Sequence, residues 1–425
     1  MSARKPFSSR KPAERAILVG VALYGSDRFH TEDSLDEMAQ LAETAGVIVV
    51  GRMVQARQVP DPKTFIGAGK TKEIAHRVKD SRADVVIFDE ELTPAQARNL
   101  EAEFGRKVMD RSGVILDIFA RRARSREAMT QVELAQLEYL YPRLTRQWKH
   151  LSRQEGGIGT RGPGETQLEV DRRLIRKKID HLKEELLRIE KQRAVRRKVR
   201  RSFKRIALVG YTNAGKSSLL NALAHAETFV EDRLFATLDA TIRQFRLEDE
   251  KALLIDTVGF IRKLPHDLVA SFRSTLEETV ESDILLHVVD ISHPHFERQM
   301  ETVVQVLGEL GVKDRHAIQV FNKIDRVQDR GLLARLKQHY APAVFTSATR
   351  GFGLDSLKEE IAEQLKKAEV EDSIEMPQDR FRTMAKIHTL ASVLETAFHD
   401  GLVRIRFRAT PDNAVRIRSM VEGDE

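Results

Sequence analysis

The stretch Gly210-Tyr211-Thr212-Asn213-Ala214-Gly215-Lys216-Ser217 constrains the fold of this chain more than any other. It reads G-x-x-x-x-G-K-S, with an apolar run at 206–209 before it and a helix-forming segment at 218–223 after it. A strand, a glycine loop and a helix N-terminus form a concave set of backbone N–H groups that suits phosphate. We expect Lys216 to contact the β- and γ-phosphates of a nucleotide and the Ser217 hydroxyl to be a ligand of Mg²⁺.

A second motif of the same kind of domain follows at another strand end. The apolar run 253–255 leads into Asp256-Thr257-Val258-Gly259, which reads D-x-x-G. We expect Asp256 to hold the water shell of Mg²⁺ and the Gly259 N–H to meet the γ-phosphate of the same nucleotide.

Two further motifs predict which base the nucleotide carries. Asn322-Lys323-Ile324-Asp325 reads N-K-x-D, and Ser347-Ala348-Thr349 ends a later strand. Asp325 can accept from two N–H groups on one edge of guanine, whereas adenine offers no such pair. A site built this way discriminates by about 10⁴–10⁵-fold. We expect Asn322 to brace the loop, the Lys323 stem to lie along the base, and the S-A-T backbone to contact the guanine oxygen.

Composition narrows the classes of partner and of compartment. The net charge of +7 and the pI of about 9.4 favour a polyanionic partner. The chain has no Cys, which excludes disulfides and thiolate zinc sites and is natural in a reducing compartment. The basic start followed by the apolar run 16–23 resembles a short signal peptide, but a buried first strand explains it better. No apolar run reaches 18 residues, so we expect no membrane span.

Residues 1–120 are predicted to form an N-terminal α/β domain. Apolar runs at 16–23, 46–50 and 83–88 alternate with helical patterns, and runs at 107–109 and 114–119 end the series. This alternation favours a parallel sheet covered on both faces. Gly67-Ala68-Gly69-Lys70-Thr71 contains G-K-T but lacks the first glycine of a P-loop. We interpret it as a turn into a helix, with ATP or RNA phosphate binding there as the alternative.

Residues 121–203 are predicted to form a basic helical hairpin. Apolar seams at 134–148 and 175–189 have coiled-coil spacing, and Pro142 interrupts the first helix. A glycine-rich loop at 152–166 separates them. Sixteen Lys or Arg between 172 and 205 face only four acidic residues, which favours nucleic-acid contact over a solvated helix face. The predicted RNA contacts are Arg153, Gly156, Gly157, Gly159, Arg161, Gly162, Gly164, Arg196, Arg197, Arg200 and Arg201.

The remaining chain is predicted to hold a P-loop GTPase domain at 204–370, in which 242–247 and 251–256 form a hairpin of strands and 284–290 forms a further strand, and a small α+β C-terminal domain at 371–425. In the latter we expect an acidic linker to 379, a helix at 380–398, a strand at 402–407 and a helix at 411–420. The strand alternates apolar residues with Arg404, Arg406 and Arg408, so one face is basic. That face either contacts RNA or a ribosomal protein or is a plain solvated sheet face.

The chain resembles the HflX family of ribosome-associated GTPases, which belongs to the Obg-HflX-like group. The resemblance rests on the loop at 156–169, on Phe235-Ala236-Thr237-Leu238-Asp239 and on 256–260. It implies GTP as substrate with Mg²⁺, contact of Phe235 to Asp239 with GTP, binding to the large (50S) ribosomal subunit and its RNA, and GTP-dependent splitting of stalled ribosomes under heat stress. We expect a cytoplasmic monomer, partly at the ribosome or the membrane surface. Ala240 departs from the family pattern, where Pro is common.

Catalysis is predicted to depend on Lys216, Thr237 and Gly259. Switch I is expected at 230–244, with Thr237 as the second Mg²⁺ ligand and Thr241 as its competitor. Many GTPases have a Gln after D-x-x-G to orient the attacking water, but this chain has Phe260. Intrinsic hydrolysis should therefore be slow and depend on the ribosome.

Two other functions stay open from the sequence. One is an assembly GTPase acting on pre-ribosomal RNA. The other is an RNA-remodelling NTPase that uses ATP at the N-terminal domain.

Overall fold

The computed structural model describes residues 13–23, 28–144, 167–200, 203–224, 234–235, 238–239, 241–247, 250–263, 279–312, 317–367 and 369–422. The chain divides into two compact units. The first comprises Met1–Ile189, Glu231–Asp239 and Arg262–Phe272, and the second comprises Glu190–Val230, Ala240–Ile261 and Arg273–Glu425. The four predicted domain ranges stay predictions. Within these described ranges, no helix is both long enough and apolar enough to cross a membrane.

The first unit contains a four-stranded sheet in the order β2-β1-β3-β4, and every pairing is parallel. Its strands are almost continuously apolar in β1 and β3, as burial on both faces requires. The predicted parallel α/β fold is confirmed. The strands are β1 (Arg15–Leu23), β2 (Ile48–Arg57), β3 (Val85–Phe88) and β4 (Lys107–Asp110), and the helices are α1 (Arg28–Thr44), α2 (Ala68–Ser81), α3 (Pro94–Phe104) and α4 (Arg111–Arg122).

Local capping explains where these helices begin. The Thr93 side chain accepts from the Gln96 N–H and the Gln96 side chain accepts from the Thr93 N–H, which is a capping box followed by Pro94. Asp110 caps α4 by accepting from the Gly113 N–H at 3.0 Å. Placing the apolar run 114–119 in the series of strands is therefore wrong, because the Asp110 cap starts a helix directly after β4.

The first unit also contains the hairpin up to Ile189. Helix α5 (Arg126–Leu140) runs into a 3₁₀ turn (Tyr141–Arg143), and α6 spans Gln167–Arg200. Pro142 lies in that turn, so the predicted interruption is confirmed. Ion pairs Lys178–Glu133 at 2.5 Å and Arg126–Glu185 at 2.6 Å join the two helices in antiparallel order. The glycine-rich loop and Trp148 lie outside the described residues.

The second unit contains a six-stranded sheet in the order β10-β9-β8-β5-β7-β6. Only β6 runs antiparallel, as the predicted hairpin of 242–247 with 251–256 requires. Ile206, Leu208, Leu219, Leu254 and Leu286 are completely buried in its core. The strands are β5 (Lys204–Gly210), β6 (Thr241–Leu247), β7 (Glu250–Asp256), β8 (Ile284–Asp290), β9 (Ala317–Asn322) and β10 (Ala343–Phe345), and the helices are α7 (Lys216–Ala224), α8 (Phe296–Glu309), α9 (Arg330–His339) and α10 (Leu354–Lys367).

The C-terminal part of the second unit is an antiparallel sheet in the order β11-β13-β12, with two helices. Two predictions were wrong here: the linker before 379 is a strand, and the helix predicted for 380–398 ends at Leu390. Both segments become strands because they pair with the central strand, from Val370 opposite Ala409 on one side to His399 opposite Leu402 on the other. The elements are β11 (Val370–Pro377), α11 (Phe381–Leu390), β12 (Ser392–His399), β13 (Leu402–Ala409) and α12 (Pro411–Glu422).

The predicted basic face of β13 is largely neutralised. Arg404 Nε donates to Glu375 at 2.6 Å, Arg408 pairs with Glu371, and Arg406 lies 3.7 Å from Glu395. The three apolar side chains that alternate with these arginines are completely buried against the helices. The structure therefore favours a solvated, ion-paired sheet face over an RNA-binding one.

Candidate functional site

The glycine loop between β5 and α7 has a backbone that only glycine fits at two positions. Gly210 has φ of 153°, and a Cβ there would lie 2.2 Å from the Val288 carbonyl oxygen. Gly215 has φ of 96°, and a Cβ there would lie 2.2 Å from Asn322 Nδ2. The loop thus packs against two neighbouring strand ends, and α7 begins at Lys216 directly behind it. This is the strand, loop and helix arrangement that the sequence predicts for a phosphate site.

The Lys216 side chain is buried over this loop. Its ammonium donates to the carbonyl oxygens of Gly210 at 3.1 Å and Tyr211 at 2.8 Å. Burial lowers the pKa of Lys216 to about 8, although the Asp256 carboxylate acts in the opposite direction. A phosphate group in the loop would supply the negative charge that this buried ammonium needs.

Two hard oxygen ligands meet beside the loop. The Ser217 hydroxyl donates to Asp256 Oδ2 at 2.5 Å, and Asp256 is buried at the end of β7. No group of three or more His, Cys, Asp or Glu side chains that could hold a metal occurs among the described residues. One hydroxyl and one carboxylate fit Mg²⁺, which usually keeps several waters and takes phosphate oxygens as ligands.

The D-x-x-G segment is hydrogen-bonded to the glycine loop through its next residue. The Phe260 N–H donates to the Gly210 oxygen at 3.1 Å, and the Thr212 N–H donates to the Phe260 oxygen at 2.7 Å. The Phe260 side chain is 1% exposed. It can neither reach nor hydrogen-bond an attacking water, which agrees with the sequence-based expectation. A Cβ at Gly259 would lie 3.0 Å from Lys216 Nζ, so glycine keeps that space open.

One side chain at the loop has unmet hydrogen-bonding capacity. The Thr212 side chain is buried, and its hydroxyl oxygen has no hydrogen-bond partner among the described residues. A buried hydroxyl in this state calls for a ligand or water. Its place in the P-loop fits a phosphate group of the nucleotide.

Asn322 joins the N-K-x-D and S-A-T motifs to the glycine loop. Its amide donates to the Ala214 oxygen at 2.9 Å, and its Oδ1 accepts from the Ala348 N–H at 3.1 Å and from the Thr346 hydroxyl at 3.3 Å. The side chain is 2% exposed. The bracing role predicted for Asn322 therefore has a matching geometry.

Asp325 lies at the surface of the same loop. The Ser347 hydroxyl donates to the carboxylate and lowers the pKa of Asp325, so it stays charged. Lys323 has φ of 63°, and its ammonium pairs with Asp290 at 2.7 Å, which fixes the stem. Sequence reasoning missed Asp290. Its signal was an acidic residue at the carboxyl end of the apolar run 284–289.

The residues assigned to switch I do not join this geometry. Ala236 and Thr237 lie outside the described residues, whereas Phe235, Leu238 and Asp239 belong to the first unit. There the Asp239 carboxylate accepts from the N–H groups of Arg124 at 2.9 Å and Ser125 at 3.1 Å. Thr241, the competing ligand, begins β6 and pairs with Asp256 across the ladder. Their roles stay predictions.

The predicted RNA contacts lie in segments whose side chains are outside the described part of the chain. The residues from Arg153 to Gly164 and Arg201 lie outside the described residues, while Arg196, Arg197 and Arg200 are in α6 with only their backbone described.

The G-K-T at 69–71 is in α2, where Lys70 pairs with Glu73 at 3.0 Å. The interpretation of that motif as a turn into a helix is confirmed.

Sequence reasoning also missed an ion-pair cluster in the first unit. Lys263, three residues after Phe260, donates to Asp89 at 2.6 Å and to Glu90 at 3.1 Å. Asp89 is completely buried and also pairs with Arg111 at 2.6 Å. Acidic residues directly after the strand 83–88 were the available signal.

Family models match most of the chain. Residues 32–120 match "GTP-binding GTPase N-terminal", residues 122–200 match "GTP-binding GTPase Middle Region", and residues 205–323 match "50S ribosome-binding GTPase". Among solved structures, SsGBP in complex with GDP is 27% identical, covers 82% of this chain and 98% of that one, and has a TM-score of 0.48.

Two curated relatives are similar over nearly their whole length. GTPase HflX of Magnetococcus marinus is 44% identical over 420 residues, which is 98% of this chain and 97% of the relative. GTPase HflX of Escherichia coli is 42% identical over 407 residues, which is 95% of each. With the P-loop, D-x-x-G and N-K-x-D motifs assembled as described, the chain belongs to the HflX family of GTPases and hydrolyses GTP.

Proposed function

We propose that this GTPase binds the large (50S) ribosomal subunit through ribosomal RNA and uses GTP-dependent switching to split or rescue stalled ribosomes, with heat stress as the condition. The observation that carries the proposal is the surface of α6. All eight Lys and Arg residues between 172 and 191 are exposed, and the helix continues into a further basic run up to Arg200. Such a helix neutralises phosphates in a sequence-independent way.

The charge on α6 exceeds what the hairpin itself uses. Lys178 and Lys183 pair with Glu133 and Glu138 of α5, and Arg188 lies 3.6 Å from Glu184. These are exposed pairs of small value for stability. The density of positive charge is therefore better explained by an RNA partner than by hairpin packing.

GTP hydrolysis would use the residues assembled around the glycine loop. The Lys216 ammonium and the backbone N–H groups of the loop and of Gly259 would contact the phosphates, and Asp325 would read guanine. Ser217, Asp256 and Thr237 would hold Mg²⁺ directly or through water. When bound, Mg²⁺ offsets the negative charge of the phosphates. Because Phe260 cannot orient water, we propose that docking to the ribosome supplies this function.

Turnover assays test the ribosome dependence directly. We expect slow GTP hydrolysis by the protein alone and strong stimulation by purified 50S subunits at low salt. The Lys216→Ala variant should hydrolyse GTP about 10²–10³-fold more slowly in both conditions. Equal rates with and without 50S subunits would overturn activation by the ribosome.

Salt dependence of 50S binding tests the basic helix. Replacing Arg196, Arg197, Arg200 and Arg201 by Gln should weaken binding and reduce the salt slope by about one per lost phosphate contact. The matched control replaces Arg404, Arg406, Arg408 and Arg418 by Gln, since these four arginines already pair with carboxylates. An unchanged slope in the first variant would remove α6 from the RNA interface.

Sedimentation of 70S ribosomes separates splitting from assembly. We expect dissociation into subunits with GTP or a non-hydrolysable analogue but not with GDP. A preference for immature over mature 50S particles, without splitting, would favour the assembly function instead. ATP binding by the Lys216→Ala variant would favour the RNA-remodelling alternative.

A further inference from the structure

A cavity of about 230 Å³ lies beside β4, the edge strand of the parallel sheet in the first unit. Helices α3, α4 and α5 form its walls. Each contributes residues from one face, spaced three or four positions apart. The residues that carry the argument are Glu101 of α3, Val108 and Met109 of β4, Leu116 and Asp117 of α4, and Leu140 of α5.

The cavity is mainly apolar but contains two carboxyl groups. Val108, Leu116 and Leu140 provide the apolar surface. Glu101 and Asp117 are partly buried, and in both cases burial is the largest influence and raises the pKa of the carboxyl group. The Glu101 carboxylate accepts one weak hydrogen bond, from the Val108 N–H at 3.3 Å.

The cations around the cavity do not offset this burial. Lys107 and Arg98 are exposed, so water screens their charges. Lys107 lowers the pKa of both carboxyls, but less than burial raises it. Arg121 also lowers the pKa of Asp117, and Glu14 raises it. Desolvated carboxylates favour protonation or a positive partner.

Arg143 is committed to another group. Its guanidinium lies 3.8 Å from the Tyr139 ring centroid and donates to Asp110 at 2.9 Å and to the Leu92 oxygen at 2.8 Å. The Tyr139 hydroxyl also donates to Asp110, at 2.8 Å. These contacts fix one wall of the cavity in place and direct the Arg143 charge to Asp110.

We propose that this cavity binds a small organic cation, with an ammonium or amidinium head at Glu101 and Asp117 and an aromatic or alkyl body against Val108, Leu116 and Leu140. The volume is below the roughly 300–1,000 Å³ of drug-sized sites, so a ligand with a single ring fits its size. The site is separate from the GTP-binding residues and does not depend on the proposed ribosomal function.

The Met109 methyl group is a direct reporter of occupancy. It lies at the cavity wall, and its Cε is 3.2 Å from where a Gly113 Cβ would be. In methyl NMR of the full chain, with Met109→Leu used to assign the signal, benzamidine should shift the Met109 resonance in a saturable manner. Benzamide has the same shape without the charge and should bind at least tenfold more weakly. The Met376 methyl, buried in the C-terminal core, should not move.

Charge removal tests the role of the carboxyls. The double variant Glu101→Gln and Asp117→Asn should lose at least tenfold in benzamidine affinity, whereas Glu103→Gln, an exposed neighbour on the same helix, should behave as the unmodified protein. An unchanged methyl signal of Met38, which is buried in the core of the first unit, verifies that each variant is folded. If the double variant does not fold, benzamidine affinity measured over a pH series on the unmodified protein tests the role of the carboxyls instead. There, affinity should fall on acidification through the range in which the raised carboxyl pKa values lie, because the protonated carboxyls no longer attract the cation.

Three results would overturn the proposal. Benzamide and benzamidine could bind equally, which would mean that the cavity is only apolar. Alternatively, neither compound would shift the Met109 methyl resonance at millimolar concentration. Benzamidine affinity could also stay constant on acidification.

Discussion

The ring of Phe235 packs edge-on against that of Phe119, with centroids 4.7 Å apart and ring planes at 85°. Both rings are almost completely buried, and 116 residues separate them along the chain. Asp239, four residues further on, accepts hydrogen bonds from the backbone that precedes α5. A segment predicted to be switch I is thus attached to α4 and to the start of α5.

This aromatic pair predicts a measurable coupling energy. Edge-to-face pairs contribute about 0.5–1.5 kcal/mol beyond the area they bury. In a cycle of Phe119→Leu, Phe235→Leu and the double variant, the free energies of unfolding should be non-additive by about that amount. Urea titration followed through the methyl signal of Met38, buried in the core of the first unit, measures it. Additive energies would mean that the ring contact contributes nothing.

Lys216 predicts a pH dependence for nucleotide binding. Phosphate attracts the charged ammonium, so binding raises the lowered pKa of about 8. Affinity for a non-hydrolysable GTP analogue should be constant below about pH 8 and should fall above it. Titration calorimetry at several pH values checks this, and proton uptake should accompany binding near pH 8.

Removing the Lys216 side chain should lower GTP turnover by about 10²–10³-fold, the usual cost of losing one group that stabilises transition-state charge. Lys337→Ala, an exposed lysine of α9, is the matched control and should leave turnover unchanged. In the pH series described above, an affinity for the GTP analogue that stays constant up to pH 10 would contradict the role of the Lys216 charge.

Asp325→Asn should change the preferred base. The amide can no longer accept from both N–H groups of guanine, but it can donate to the carbonyl that xanthine has at the same position. We expect GTP affinity to fall by about 100-fold or more, with xanthosine triphosphate becoming the better ligand. Asp329→Asn, four residues away at the cap of α9, should leave both affinities as they are. Competition binding with the two nucleotides measures the switch.

Two arginine pairs should differ widely in their contribution to stability. Arg111 is 1% exposed and pairs with Asp89, which is completely buried, so removing it takes a cation away from a carboxylate that then has Lys263 to compensate it. Arg111→Ala should cost up to about 3–5 kcal/mol. Arg404→Ala removes an exposed pair with Glu375 and should cost less than about 1 kcal/mol. Denaturant titrations followed through methyl signals of each unit compare them, and similar costs would contradict the distinction.

The nucleotide site was predictable because each of its motifs is local. The glycine loop, D-x-x-G and N-K-x-D each occupy a few consecutive residues at a strand end, and parallel strands bring their carboxyl ends to one edge. The strand Ile284–Asp290 was predicted with its observed bounds because it is a short continuous apolar run. Sequence and structure agree where the backbone and the apolar pattern point to the same element.

Features that depend on distant partners were not predictable in the same way. Residues 392–399 look helical in isolation and become a strand because β13 is available beside them. The pairs Lys323–Asp290, Lys263–Asp89 and Phe119–Phe235 join residues that are far apart in the sequence, so no local spacing indicates them. Only the folded arrangement selects one partner among many of the same charge or class.

The amide of Asn322 reaches Ala214 only because position 215 has no side chain. Any larger residue there would push the amide away, and the Ala348 N–H would lose its acceptor at the same time. If Asn322 braces the base-binding loop as predicted, a change at position 215 should alter base selectivity and phosphate binding together. A substitution in the phosphate loop should therefore weaken nucleotide binding and also reduce the discrimination between guanine and adenine nucleotides.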